Sequence, residues 1–526
     1  MSGHFALILH AHLPFVRHPE HERFLEESWF FEALTECYLP LLERLLSWER
    51  DRLKARLTLV MSPTLGAMLL DPLLTARYER RLTGLIELAE REVIRTRWEP
   101  ARRRLAEHYR ERWRTLRQLW LEADRNLIQA FGQLQERRRI EIIPCAATHA
   151  VLPLMADHRP SVRGQVLTAR DFHRACFGVD PVGFWLPECA YDPAVEPVLL
   201  EANLRWFILE THGLLNGSPR PRFGVYAPVF TPTGLAAFAR DPDTARQVWS
   251  RQGGFPGDPH YRDFYRDAGY DLEFEYIRPY LPTPDQRGFT GLKYHRITGP
   301  EGATELYEPD AALRVARSQA RHFFEVHRGR LQRLAGFMER PPLIVAPYDA
   351  ELFGHWWYEG LDFLDAFVRE ATGAPDSFAF STPSDYLAQH ATHQLVQPAA
   401  SSWGEGGHLA VWLNEKNEWI RRHLDVAQRR MAELANRWPP AHGVDLRARQ
   451  QAARELLLAQ ASDWPFILHT GTSPGYAQRR LREHLLRFSA LHRQITQEAV
   501  DETWLGQIET FDPLFPRLNL DHWREE

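Results

Sequence analysis

Cysteine is scarce in this chain of 526 residues: there are four, at positions 37, 145, 176 and 189, and no C-x-x-C pair. A disulfide framework and a structural zinc site are both disfavoured by that spacing. Long apolar runs are missing as well. The run 5–9 is too short and wrongly flanked for a secretory signal, and nothing approaches the ~20 apolar residues of a membrane span. The expectation is a cytoplasmic protein that does not enter a membrane. Charge of one sign is also lacking: 64 basic residues against 69 acidic leave a net −5, which is no footprint for nucleic acid. Local basic runs, such as Arg102, Arg103 and Arg104, read as solvated helix faces. There is no G-x-G-x-x-G, Walker A, G-x-S-x-G or H-E-x-x-H, so hydride, phosphoryl and serine-nucleophile chemistry and zinc proteolysis lose their usual signatures.

What is plentiful is tryptophan, with 17 residues that cluster beside Gly, Pro, His and Asp. Core packing accounts for any one of them, but it accounts poorly for the clusters. Seven short apolar runs have strand character, at 5–9, 57–61, 140–145, 183–186, 205–209, 235–239 and 343–346. Polar residues follow each run, and several are separated by segments of helical period such as 75–92 and 105–136. Strands alternating with helices predict a parallel α/β arrangement, and seven runs favour a distorted seven-stranded barrel over an eight-stranded one. In such folds chemistry gathers at the carboxyl ends of the strands. Residues 253–302, rich in Gly, Pro, Asp and Tyr, read as a long ordered excursion over the barrel mouth, and 397–407 as a linker that carries Trp403. From Trp412 onward the pattern is helical. The expected organisation is a catalytic barrel over 1–396 with a helical insertion at about 70–136, an aromatic-bearing linker at 397–411, and a helical domain over 412–526 that contributes to the active-site groove.

Two acids stand where the chemistry is expected. Glu188 lies in GFWLPECAY and Asp349 in APYDAELFGHWW, each just past a strand-like run and each beside flat aromatic side chains. Two carboxyl groups among indoles suit glycosidic-bond cleavage, in which one acts as nucleophile and the other donates and then recovers a proton. Structural carboxylates capping helices are the plainer alternative. His10 and His12 fall on one side of an extended segment because side chains alternate along a strand. They are open to three readings: a satisfied polar cluster, hydrogen bonding to sugar hydroxyls, or a metal centre completed by His149, His212 and Asp349. Against the metal reading, no lysine stands ready to bridge two ions, and Glu188 and the tryptophans are left without a role. Trp249, Trp403 and Trp412 are the candidates for stacking on sugar rings, with ordinary packing an equal reading for Trp412. Trp356 and Trp357 either wall the pocket or touch substrate. Asp463 interrupts an apolar helical stretch, so it needs partners, as a helix cap or as a contact to a hydroxyl.

Taken together, HAHLPF, ATHA, GFWLPECAY, QVWS, APYDAELFGHWWYEG, SSWGEGG, VWLNE and ASDWPF resemble glycoside hydrolase family 57, in its branching-enzyme group and the related alpha-amylase C type, over essentially the whole chain. The resemblance implies a seven-stranded (β/α) barrel with a small inserted helical domain and a C-terminal helical domain closing the groove. It implies a retaining, cofactor-free and metal-free reaction on α-1,4-glucans such as amylose, glycogen, starch and maltooligosaccharides, by a monomer or small homo-oligomer. Glu188 would be the nucleophile and Asp349 the general acid/base, with His10, His12, His149, His212, Trp249, Trp356, Trp403, Trp412 and Asp463 lining the substrate sites. Branching is the expected main activity, with α-amylase-like hydrolysis as the alternative. One departure bears on that choice. Branching members often carry a long loop tipped by a tyrosine after the strand that leads to His212, whereas here only residues 213–225, without a tyrosine, connect onward. A shorter cover should admit more water. A second departure, Glu210 in place of the aspartate common in relatives, is expected to matter little.

Overall fold

The computed structural model describes residues 3–249, 253–299, 304–375, 377–437 and 441–524. Ser250 of the QVWS motif, the end of the 253–302 excursion, and residues 438–440 and 525–526 of the C-terminal region lie outside the described residues.

The architecture is mixed α/β, built on parallel strands surrounded by helices. Among the described residues there are nine strands: β1 (His4–Ala11), β2 (Leu57–Met61), β3 (Ile140–Ile143), β4 (Gly183–Trp185), β5 (Trp206–Leu209), β6 (Val229–Phe230), β7 (Ala236–Ala239), β8 (Leu343–Asp349) and β9 (Ala379–Phe380). One sheet has the order β3-β2-β1-β8, with β9 also paired to β1, and the other has the order β4-β5-β7-β6. Every pairing is parallel except β6 with β7. The seven apolar runs correspond to β1–β5, β7 and β8. β6 and β9 are two residues long, too short to leave a pattern in the sequence.

Strand β1 is buried along its whole length, so it reads HFALILHA with no polar alternation until its end. Its two faces serve different cores. Ala6 and Ile8 pack with Val60, Ile143, Cys145, Trp185, Ile208, Phe238 and Val345, a cluster drawn from strands of both sheets. Phe5, Leu7 and Leu9 face the surrounding helices, and burying such a side chain contributes about 1.5–3 kcal/mol. Two backbone links join the sheets at their margins. Trp185 N donates to Pro144 O at 3.0 Å, and Asp241 N donates to Val345 O at 2.8 Å.

The segment 105–136, of continuous helical period in sequence, is two helices, Pro100–Glu122 and Leu127–Glu136. The chain breaks between them where Asp124 and Arg125 take left-handed φ values of 51° and 58°, and the Asn126 side chain then caps the second helix through Gln129 N. The excursion that follows 253 packs on the helices Pro72–Arg95 and Pro100–Glu122: Arg81 donates to Phe289 O at 2.9 Å, and Tyr109 donates to Lys293 O at 2.9 Å.

C-terminal helices Trp419–Asn436, Gly443–Ala459 and Pro474–Thr496 pack together, and the second of these delivers the chain to Ser462 and Asp463. Buried ions join this group. His484 Nδ1 lies 2.6 Å from Glu455 Oε2, and Arg480 donates to Asp512 at 2.8 Å. Burial alone would raise the Asp512 pKa, but Arg480, His484 and Arg487 outweigh it and hold the carboxyl at about 2. Because its folded pKa is depressed, Asp512 stabilises the fold above the ordinary aspartate range, and that contribution is lost as pH falls toward 2. Replacing Asp512 with alanine strands a buried guanidinium and is expected to cost about 3–5 kcal/mol, which urea unfolding at neutral pH would measure.

Candidate active site

The carboxyl ends of the strands deliver the polar residues to one place. Parallel pairing sets His10 of β1 opposite Asp349 of β8, and their side chains meet, with His10 Nδ1 3.0 Å from Asp349 Oδ1. His12, two residues on, takes the same side, as strand alternation requires. Its ring stacks on His149 at 3.9 Å, and its Nδ1 reaches Ser62 Oγ, at the end of β2, at 3.0 Å. His10 lies flat on Trp185 of β4 at 4.6 Å, so a fully buried indole floors the imidazole cluster.

Glu188 follows β4 in a tight turn with φ 62°, ψ 21°; Cys189 (φ 48°) and His149 (φ 57°) are also left-handed. Side chains with a Cβ disfavour this region by about 1–3 kcal/mol, and such strain concentrates where function demands an orientation. Here it aims Glu188 at the imidazoles. Trp403 Nε1 donates to Glu188 Oε2 at 2.7 Å, and Trp403 N donates to the Glu188 carbonyl at 3.0 Å. Ser462 Oγ reaches the other carboxyl oxygen at 3.0 Å. The stretch 397–411 is thus stitched across the site, helped by a bridge between Tyr191 and Ser401. From the C-terminal region, Asp463, in the first turn of the helix Asp463–Thr470, lies 3.2 Å from His12 Nε2.

Burial raises the Glu188 pKa, and the Asp349 charge adds to it. The Trp403 hydrogen bond acts the other way, and the outcome is about 7. His10 and His149 are pushed toward neutrality, chiefly by burial. Burial also opposes charge on His12, but Asp463 overrides it and raises the pKa.

Glu188, Asp349, His10, His12, His149, Trp403 and Asp463 are therefore brought together. Trp249 joins at the edge, its ring 6.3 Å from Trp403. His212 stands apart from the imidazole cluster and bonds the Gly407 carbonyl at 2.8 Å. Trp412 is 4% exposed and packs with Val151 and Ala190 behind the Trp403 loop. Trp356 is 46% exposed and rests near His355, whereas Trp357 is in the core. Residues that sequence reasoning missed are Ser462, Trp185, Ser62 and Glu351. The last lies two positions past Asp349, in the 3₁₀ turn Ala350–Leu352 that follows β8. Its carboxyl accepts from His12 N at 3.1 Å and from Tyr38 OH, and burial followed by Asp349 pushes it up to about 8.

Two carboxyls past parallel strands, with imidazoles between them and the Trp185 indole beneath, mark the candidate site of an α/β enzyme, and comparison with known proteins gives its class. Residues 6–398 match glycosyl hydrolase family 57, and residues 423–523 match the 1,4-alpha-glucan branching enzyme C-terminal family. The chain belongs to glycosyl hydrolase family 57. It is similar to the alpha-amylase AmyC of Thermotoga maritima, with TM-score 0.93, 39% identity and full coverage of both chains. A branching enzyme structure from Pyrococcus horikoshii matches at TM-score 0.89 and 29% identity, over 100% of this chain and 97% of that one. A 1,4-alpha-glucan branching enzyme of Thermococcus kodakarensis is 30% identical over 94% of this chain and 74% of its own length.

Trp403 supplies a donor to the charged form of Glu188, and hydrogen bonds to charged groups are worth about 1.5–3 kcal/mol. Trp403→Phe should raise the Glu188 pKa and move the acid limb of kcat/KM to higher pH. The loss of activity should therefore be larger at pH 6 than at pH 8 in a pH–rate profile.

Proposed function

We propose that this protein is a 1,4-alpha-glucan branching enzyme that works by retaining double displacement. Ionised Glu188 attacks the anomeric carbon while Asp349, protonated, gives its proton to the departing glucan oxygen. Asp349 then takes the proton of an incoming 6-hydroxyl, and that oxygen displaces Glu188. The observation that carries the reading is the meeting of both carboxyls in one cluster, Glu188 held at both oxygens and Asp349 at one. Among the described residues, Asp349 Oδ2 makes no hydrogen bond, which leaves it to face a glycosidic oxygen. His12 with Asp463, and Trp249 and Trp403 at the margin, suit hydroxyl and ring-face contacts to an α-1,4-glucan. The two linked sheets are read as a distorted seven-stranded (β/α) barrel, with the helices between β2 and β3 as its insertion and the C-terminal helices as the closing wall.

Hydrolysis accompanies transfer in this reading. The connection 213–225 holds one aromatic, Phe223, whose ring lies under Arg222 and Arg340. Tyr226, the first tyrosine beyond it, accepts from Arg330 at 2.6 Å, and its carbonyl accepts from Leu343 N at 2.9 Å, at the end of β8 opposite Asp349. Water therefore competes with the sugar hydroxyl for the intermediate. Amylose incubated with the enzyme and then debranched should release new short chains. A rise in reducing ends with no new branches would replace branching with hydrolysis. Glu188→Gln and Asp349→Asn are each expected to lower turnover by about 10²–10⁴-fold or more without loss of the folded state.

Metal-assisted hydrolysis has one observation in its favour: His10, Cys145 and His149 offer donor atoms within 4.8 Å of one another. Burial keeps the Cys145 thiol protonated, however, and His10 and His149 face each other at 3.1 Å. Activity is expected to persist in excess chelator, with elemental analysis run on the same sample; a loss restored by a divalent ion would favour the metal.

A further inference from the structure

The two carboxyls are joined by an unbroken line of polar contacts. Asp349 Oδ1 lies 3.0 Å from His10 Nδ1, and His10 Nε2 lies 3.1 Å from His149 Nε2. His149 Nδ1 lies 2.8 Å from Ser462 Oγ, and Ser462 Oγ lies 3.0 Å from Glu188 Oε1. Four links need four protons. Two neutral imidazoles and one hydroxyl supply three. The line is complete only when one carboxyl puts a proton into it and the other accepts one. With both ionised a link is left without a proton, and with both protonated toward the line two donors collide.

We infer that Ser462, His149 and His10 form a proton wire through which Glu188 and Asp349 hold a single proton in common and pass it between them inside the closed cleft. The inference rests on the assignment of Glu188 and Asp349 made above. In the priming step the proton of Glu188 Oε1 passes to Ser462 Oγ, that of Ser462 to His149 Nδ1, that of His149 Nε2 to His10 Nε2, and that of His10 Nδ1 to Asp349 Oδ1. Each N–H or O–H bond broken is replaced by one formed at the next atom. The net change is protonated Glu188 and ionised Asp349 to ionised Glu188 and protonated Asp349, and a turn of the Asp349 carboxyl about its Cβ–Cγ bond then carries the proton from the His10 side to the open side, where the departing oxygen lies.

The surroundings support neutral imidazoles in the line. Burial lowers the proton affinity of His10 and His149, whereas Asp463 raises that of His12, which stacks on His149. Glu351, which anchors His12 N, is pushed up to about 8 and so brings little charge near neutral pH. The Cys145 thiol is turned to the Ala146 carbonyl at 3.3 Å, out of the line. Ser462, His149 and His10 act here as positioning and relay residues.

Ser462→Ala cuts the wire and leaves both carboxyls and both imidazoles in place; Ser462→Thr keeps the hydroxyl. On a maltooligosaccharide with an activated leaving group, Ser462→Ala should lose about 100-fold in kcat/KM. A small external buffer such as formate or imidazole should restore part of the loss, and Ser462→Thr most of it. In the unmodified enzyme, kcat/KM in mixtures of light and heavy water should fall along a curve, because several protons move together. A straight line there, or a loss in Ser462→Ala that neither buffer nor threonine relieves, would overturn the wire. Trapping the glycosyl-enzyme with a slow fluorosugar separates the two ideas: labelled Glu188 with a straight line removes the wire alone, and an unlabelled Glu188 removes the assignment on which it rests.

Discussion

The pairing of β1 with β8 is the constraint on which the site depends. That parallel register sets His10 against Asp349, and a slip of one residue would turn the histidines into the helical core and bring Leu9 and Ala11 to the cleft. The register is held by burial on both faces. Ala6 and Ile8 point to the cluster shared by the two sheets, and Phe5, Leu7 and Leu9 to the helices, so a one-residue slip would force the larger side chains into the space that Ala6 and Ile8 fill. The strand is specified by packing, and the chemistry at its end comes with it.

The second condition is the return of the chain from far downstream. Trp403 and Ser462 approach Glu188 from more than 200 residues away, at separations of 215 and 274. The link at Ser462 rests on the docking of the Gly443–Ala459 helix against the His149 loop, where Ser462 N donates to the His149 carbonyl at 3.2 Å and Thr148 donates to the Leu457 carbonyl. The buried ions between that helix and its neighbours keep it in place. Closing the site in this way removes water from Glu188, and the loss of solvation is what raises its pKa. The same enclosure makes electrostatic contacts at the carboxyls stronger than they would be in solvent. Covering and reactivity are one effect here. The 213–225 connection leads away from this cover, to Tyr226 at the amino end of β8.

Much of this was legible in the sequence. The seven apolar runs announced the parallel strands, and the acids and histidines just past them were already at strand ends, where a parallel α/β fold concentrates its chemistry. Strand alternation placed His10 and His12 on one side. The break at Asp124 and Arg125 left no signal, because helical periodicity continues across two residues whose backbone reverses. β6 and β9 are too short for any periodic signature. Ser462 was visible only as the neighbour of Asp463, and serine carries no pattern that separates a helix boundary from a catalytic contact. Trp412, at the start of the helical region, is buried behind the loop, and Trp403, in the Gly- and Ser-rich stretch, bonds Glu188.

The sequence by itself determined the family and the placing of the polar residues, Glu188 and Asp349 among them, just past strands, because each depends on residues near one another along the chain. The tertiary structure alone decided the meeting of His10 with His149, the hydroxyl of Ser462 between His149 and Glu188, and the elevated pKa of Glu188. These are properties of distance and desolvation between segments remote in sequence, and no local pattern encodes either. Glu188 and Asp349 are legible in the sequence as acids past strands, and the fold brings them into one cluster.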